Sequence, residues 1–123
     1  MAKAINLEQC FEKFTDTYSP KIVGELNGQH VKVVRVEGDK CPWHTHDRED
    51  ELFLVLEGAL EVEERDEKIV LHAGEFCIVP HGKEHRVIPH GHVRLLLFEP
   101  AGIAHTGDVK AEITLEQYDR LDV

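Results

Sequence analysis

The sequence is poor in cysteine and in basic residues, and each shortage excludes a class of protein. Its three cysteines, Cys10, Cys41 and Cys77, are an odd number at wide spacing, which argues against a disulfide framework and favours reduced thiols. The 14 lysine and arginine residues stand against 24 acidic ones, so the formal net charge is −10 at pH 7. Because such a charge repels phosphate backbones and anionic lipids, we expect neither a nucleic-acid partner nor a membrane partner.

Long apolar runs and linkers rich in Gly, Ser or Pro are also missing from the chain. Charged residues such as Glu8 and Lys13 interrupt residues 1–14, so we expect no signal peptide, no membrane span and a cytoplasmic location. Apolar residues make up 41% of the chain and charged residues 31%, a balance typical of a globular protein. The 123 residues suit one domain, and we predict a single domain over 1–123.

Two short helices are predicted, one near each end of the chain. Asn6 and Gln9 are spaced like a capping box, and apolar residues follow at helical spacing, which predicts a helix within the extension formed by residues 1–29. Thr114 and Gln117 form a second capping box, which predicts a short surface helix over 115–121 within the C-terminal extension, residues 101–123.

Residues 30–100 have the pattern of a β domain. Short apolar and β-branched runs are separated by glycine and proline, which favours an antiparallel barrel or sandwich. The predicted strands are 30–36, 51–56, 59–64, 68–71, 76–79, 84–88 and 93–98.

The residues with the clearest chemical potential are His44, His46 and Glu51. Side chains two apart on a strand point to the same face, so the two imidazoles can act together. Glu51 begins a buried apolar run, and a carboxylate there needs a partner. A cation shared with the two histidines would supply one, and this mixture of ligands suits Fe, Mn, Ni or Zn as a divalent ion. His85 could complete the set, whereas an isolated His-x-His pair is more simply explained as solvated strand residues.

Placed in register, these residues resemble the two motifs of the cupin superfamily. The motifs are present as Gly38-x5-His44-x-His46-x4-Glu51-x6-Gly58 and Gly74-x5-Pro80-x-Gly82-x2-His85. Pro89 stands where the second motif usually ends in Asn. The resemblance implies an all-β double-stranded β-helix, a jelly-roll barrel, with one divalent ion held by His44, His46, Glu51 and His85. It also implies a homodimer.

Several other residues compete for a place in the site. Asp50 is an alternative to Glu51, with Asp47 and Glu49 in a solvated loop. Cys41 could join His44 at a zinc ion, but three residues along a strand would put the two on opposite faces, so we expect a buried or edge thiol. The remaining histidines are expected to be surface or strand residues: His30, His72, His81, His90, His92 and His105.

Five residues are candidates for a substrate pocket. Trp43, Phe53 and Phe98 could line an apolar cavity, although aromatic residues in a small barrel usually fill its interior. Arg35 and Arg94 could reach an anionic substrate, although solvated or salt-bridged arginines are the simpler expectation.

These features favour a metal-dependent enzyme acting on a small oxygenated organic molecule, by a dioxygenase-like or isomerase-like reaction. Small single-barrel cupins are often labelled after sugar-phosphate isomerases (RmlC-like), which the resemblance carries over only weakly because a fold does not fix a function. The alternative is a non-catalytic module that binds or senses a small molecule and uses the metal structurally.

Overall fold

The computed structural model describes residues 2–101, 107, 113 and 117–123. The chain begins with a short helix, α1 (Leu7–Phe11), and the side chain of Asn6 caps it by accepting a hydrogen bond from the backbone N–H of Gln9. Cys10 and Phe11 are the buried residues of this helix, which matches the predicted N-terminal helix. Among the described residues, no helix is long and apolar enough to cross a membrane.

In the part of the chain that the structure describes, seven strands follow, and together they form one sheet that curves around a core. Its hydrogen-bonded order is β4-β3-β6-β2-β1-β7, with β5 paired to another part of β3. The pairs are antiparallel except for β1 with β7. The strands are β1 (Lys21–Leu26), β2 (Gln29–Val36), β3 (Glu51–Glu64), β4 (Lys68–His72), β5 (Phe76–Val79), β6 (His85–Pro100) and β7 (Asp119–Arg120).

The strands β3 and β6 each join two runs that the sequence predicts as separate strands. Gly58 and Gly91 mark the predicted breaks, and in the structure they lie within continuous strands at positive φ, 89° and 74°. A Cβ at Gly58 would lie 2.8 Å from the carbonyl oxygen of His92, so glycine allows the two strands to stay close where their register shifts. The predicted turns are therefore bends in long strands.

Both ends of the chain differ from the prediction. Strand β1 lies before residue 30, so the sheet begins within the segment assigned to an N-terminal extension. The described part of the predicted helix 115–121 is not helical, because Asp119–Arg120 pairs in parallel with Lys21 and Ile22 of β1. The open edge of β1 and the 3.3 Å ion pair between Lys21 and Asp119 favour the extended form over the short helix. Residues 115 and 116 lie outside the described residues, as does His105.

Two clusters of buried residues stabilise the fold. Inside the sheet, the inward faces of the strands meet around Val55, Leu60, Val93 and Leu95, each at most 1% exposed. On the outside, α1 packs with Phe14 against Val33 and closes a second cluster. Strand β3 alternates as expected, with Glu51, Phe53 and Val55 inward.

Candidate metal centre

The structure brings His44, His46, Glu51 and His85 together at one end of the barrel. Their potential ligand atoms all lie within 4.8 Å of one another. All four side chains are buried, with residue exposures between 1% and 3%. The first two come from the segment between β2 and β3, while Glu51 and His85 are the first residues of β3 and β6.

Backbone hydrogen bonds hold these segments together. The N–H of His44 donates to the carbonyl of His85 at 3.0 Å, and the N–H of His85 donates back at 2.9 Å. The N–H of Gly82 donates to the carbonyl of His46 at 2.8 Å, and Gly82 has a φ of 78°. The glycine turn of the second motif therefore fixes the loop that carries the histidine pair.

Each imidazole uses its Nδ1 atom for a contact outside the cluster. Nδ1 of His44 lies 2.8 Å from the carbonyl oxygen of Pro42, and Nδ1 of His85 lies 2.9 Å from that of Lys83. Because a carbonyl oxygen can only accept, both Nδ1 atoms carry a proton, which leaves Nε2 as the atom of each ring that can donate electrons to a metal ion once it is unprotonated. The buried Nε2 of His44 has no hydrogen-bond partner among the described residues.

His46 lies between two carboxylates, which determine its protonation. Its Nδ1 is 2.8 Å from Oε1 of Glu49, and its Nε2 is 3.4 Å from Oε2 of Glu51. Burial by itself would lower the pKa of His46, but the two carboxylates outweigh it and raise the pKa to about 9. For His44, burial prevails and lowers the pKa.

Glu51 is the carboxylate at the centre of the cluster. Its Oε1 atom lies 3.3 Å from Nε2 of His85. Burial, the largest single effect, would raise the pKa of Glu51, but the neighbouring His46 and His85 rings together hold it below its ordinary value. The group is therefore an anion that depends on a nearby positive charge.

The donors present fit a divalent metal ion. Three buried imidazole nitrogens and one buried carboxylate converge, and each Nδ1 is held by an acceptor, as is common around metal-binding histidines. Such a mixture of nitrogen and oxygen ligands suits Fe, Mn, Ni or Zn.

Comparison with known proteins agrees with this arrangement. The family model described as "Cupin domain" matches residues 31–99. The chain belongs to the cupin family. The sheet topology and the solved cupin structures confirm the predicted double-stranded β-helix barrel.

Individual relatives are similar over most of the barrel. The uncharacterised protein YdbB of Bacillus subtilis (strain 168) is 33% identical over 81 residues, which cover 65% of this chain and 71% of that protein. The crystal structure of a cupin-2 domain containing protein from Shewanella frigidimarina NCIMB 400 has a TM-score of 0.76 at 38% identity, covering 78% of this chain and 93% of that one. Protein NMB1881 from Neisseria meningitidis has a TM-score of 0.72 at 27% identity, covering 80% and 100%.

A small cavity adjoins the candidate metal centre inside the cupin barrel. It encloses about 40 Å³, and His44 and Glu51 form part of its wall. Most of the other described lining residues are apolar: Val34, Val36, Phe53, Val87, Leu95, Leu97 and Ile113, with Pro20, Tyr18 and Cys41.

Of the five predicted pocket residues, the structure places Phe53 in this cavity and the other four elsewhere. The ring of Trp43 packs against the guanidinium groups of two arginines, with Arg65 Cζ 3.9 Å from its centroid. Arg35 donates to the carbonyls of Phe11 and Phe14, so it anchors the N-terminal helix. Arg94 pairs with Glu8 and Glu57, and Phe98 lines a groove on the outer surface.

The structure also shows where the alternative ligand candidates lie relative to the cluster. Asp50 is exposed and accepts a hydrogen bond from the N–H of His81, so it faces away from the cluster. Glu49, expected in a solvated loop, is instead half-buried beside His46. Cys41 is buried as expected, but its Sγ lies 3.9 Å from Nδ1 of His44, because this segment is a loop and does not alternate like a strand.

Two buried ionisable residues beside the candidate centre were not predicted from the sequence, Lys32 and Glu99. Their side chains are 0% exposed, and Lys32 Nζ lies 3.1 Å from Oε1 of Glu99. Burial and the neighbouring Glu51 raise the pKa of Glu99 above its ordinary value, while the ammonium group of Lys32 acts to lower it. The signal that could have found them is their position: both occupy inward places in the alternation of β2 and β6, where apolar residues are the rule.

Proposed function

We propose that this cupin binds one divalent metal ion through His44, His46, Glu51 and His85, and acts as a metal-dependent enzyme on a small oxygenated organic molecule. The observation that carries the proposal is the set of three buried imidazoles, each held through Nδ1, around one buried carboxylate. Bound here, the ion would polarise a ligand oxygen and, if redox-active, support reactions with dioxygen.

The cavity supports an uncharged substrate. No lysine or arginine is among its described lining residues, and most of its wall is apolar. A phosphate group would therefore lose its hydration without gaining a cationic partner from these residues. Such a wall suits a small neutral molecule whose oxygen faces His44 and Glu51, and it favours this class over sugar phosphates.

The same wall favours a dioxygenase-like reaction over an isomerase-like one. Isomerisation requires a base near the substrate. Burial raises the pKa of Tyr18 to about 12 and that of Cys41 to about 11, so both lining groups are neutral near pH 7. Neither is a base in this state, whereas an oxidation could proceed between the ion and a substrate shielded from water by the apolar residues.

We also propose that the protein is a cytoplasmic homodimer. The outer surface of β5 exposes Phe76 and Ile78, which are 59% and 55% accessible. They lie in register with Leu54 and Leu52 of β3, forming an apolar face of the kind that supports self-association. Light scattering should give the molar mass of a dimer for the wild type and that of a monomer for Phe76→Glu. A variant that remains a dimer would show that this face is not the interface.

The decisive functional test measures turnover in protein loaded with Fe(II), Mn(II), Ni(II) or Zn(II). With the iron form we expect dioxygen uptake with a neutral phenol, diketone or thiol that places only its reacting end in the 40 Å³ cavity, and none with sugar phosphates. The variant with His44→Ala and His46→Ala is the matched control and should be inactive. Full metal occupancy without turnover of any compound would instead favour the non-catalytic binding module.

A further inference from the structure

Lys32 and Glu99 form an ion pair inside the barrel that the proposed reaction does not use. The 3.1 Å contact joins two side chains that are both 0% exposed. Two charges at this depth are costly to desolvate, and a well-packed apolar pair of similar volume is often as stable or more stable. Fold stability alone is therefore a poor reason for this pair.

The pair lies directly beside the metal centre. Leu52 of β3 pairs with Phe98 of β6, so the neighbouring residues Glu51 and Glu99 both point inward at the same end of the barrel. Their carboxyl groups are close enough to interact, and Glu99 also acts electrostatically on His46. The second carboxylate oxygen of Glu99, Oε2, forms no hydrogen bond with the residues the structure describes.

The ammonium group of Lys32 is held in place from two sides. On one side is Glu99, and on the other is the ring of Tyr118, whose centroid lies 3.7 Å from Nζ. A fixed ammonium near the centre repels a divalent ion, and the carboxylate of Glu99 offsets that repulsion. Counted with Glu51, ionised Glu99 leaves a net negative charge beside the ion, whereas without Glu99 the charges of Glu51 and Lys32 cancel.

We propose that Glu99 is a positioning residue of the metal centre, whose carboxylate pairs with Lys32 and keeps that ammonium from opposing the bound ion. The inference rests on the proposed binding of a divalent metal by the four ligands. The 3.1 Å contact with the ammonium group of Lys32 favours the ionised form of the Glu99 carboxyl group.

The test is a titration with Co²⁺ at pH 7.5, followed by visible absorption and by competition with a chelator. Glu99→Gln should weaken binding tenfold or more and change the cobalt spectrum. Adding Lys32→Met to that variant should bring the dissociation constant back to within about threefold of the wild type, because the uncompensated ammonium is gone. Glu63→Gln, which breaks a partly buried 2.9 Å pair with Arg86, is the matched control and should bind normally.

A second comparison covers the case in which Glu99→Gln does not fold. Lys32→Met alone retains the carboxylate and should bind Co²⁺ at least tenfold more tightly than the double variant. The two comparisons are the wild type with Glu99→Gln, and Lys32→Met with the double variant. Equal dissociation constants within a pair whose members both fold would overturn the inference. If the wild type binds Co²⁺ and Glu99→Gln binds it equally well, only this inference fails, whereas a wild type that binds no metal refutes the proposed function as well.

Discussion

Metal binding should depend on pH over a range set by His46. The two flanking carboxylates raise the pKa of this ring to about 9, so in the metal-free protein it carries a proton at pH 7 that the ion must displace. Since pH 7 lies two pH units below that value, the proton weakens binding about 100-fold relative to the unprotonated ring. The dissociation constant should therefore fall about tenfold per pH unit between pH 7 and 8.5.

The assay is competition between the protein and a chelator of known affinity from pH 6 to 8.5, with proton release measured in weakly buffered solution. At least one proton should leave per ion bound at pH 7. Glu49→Gln removes one of the two carboxylates that raise the pKa of His46. The pH range over which the dissociation constant falls should therefore move to lower pH. A dissociation constant that does not change across this range would refute the assignment of His46 as a ligand.

The stability of the metal-free fold should show the opposite trend. A histidine whose pKa is raised by folding stabilises the folded state below its unfolded value of 6.5, and this contribution is lost as the pH rises toward 9. The buried ring makes the loss about 3 kcal/mol, from 1.36 kcal/mol for each pH unit between those values. Urea unfolding of the metal-free protein at pH 6.5 and 9 measures it, and equal stability at both would contradict the arrangement of His46 between carboxylates.

Further predictions concern the ligands, one strand bend and the cavity. Replacing both His44 and His46 with Ala should abolish stoichiometric metal while thermal unfolding stays cooperative, and full occupancy in that variant would exclude them as ligands. Gly58→Ala should cost about 2 kcal/mol or more in denaturant unfolding, because its φ is 89° and the new Cβ would meet a carbonyl oxygen at 2.8 Å. Gly28→Ala, at φ 77° with nothing within 4 Å, should cost only about 1 kcal/mol; equal costs would disprove the close approach. Phe53→Ala should destabilise the protein by about 3 kcal/mol and admit larger ligands, and unchanged stability would mean that this ring does not fill the cavity wall.

The barrel and the candidate metal centre at one of its ends could be predicted from the sequence because local signals there agree. Strand periodicity, glycine turns and two spaced motifs all locate the same segments, and the structure brings His44, His46, Glu51 and His85 together. Interruptions by glycine were less informative. A glycine with positive φ can either end a strand or lie at a bend within one. Gly58 and Gly91 lie at bends, because the neighbouring strand stays paired on both sides of each glycine.

Features that depend on distant pairing were not predictable from local pattern. Strand β7 forms by pairing with β1, and a capping box cannot signal that an open sheet edge is available. The ion pair between Lys32 and Glu99 joins residues 67 positions apart, which only the register of β2 with β6 reveals. The partners of Arg35 and Arg94 are also distant in sequence, since Arg35 donates to the carbonyl of Phe11 and Arg94 to the carboxylate of Glu8.

Elemental analysis of protein purified without chelators and without a histidine tag tests the proposed metal centre without any assumption about the substrate. We expect one divalent ion per chain in the wild type and none in the variant with His44→Ala and His46→Ala, both measured on folded protein. A wild type free of metal after exposure to Fe(II), Mn(II), Ni(II) and Zn(II), or a variant that keeps its full complement, would contradict this proposal.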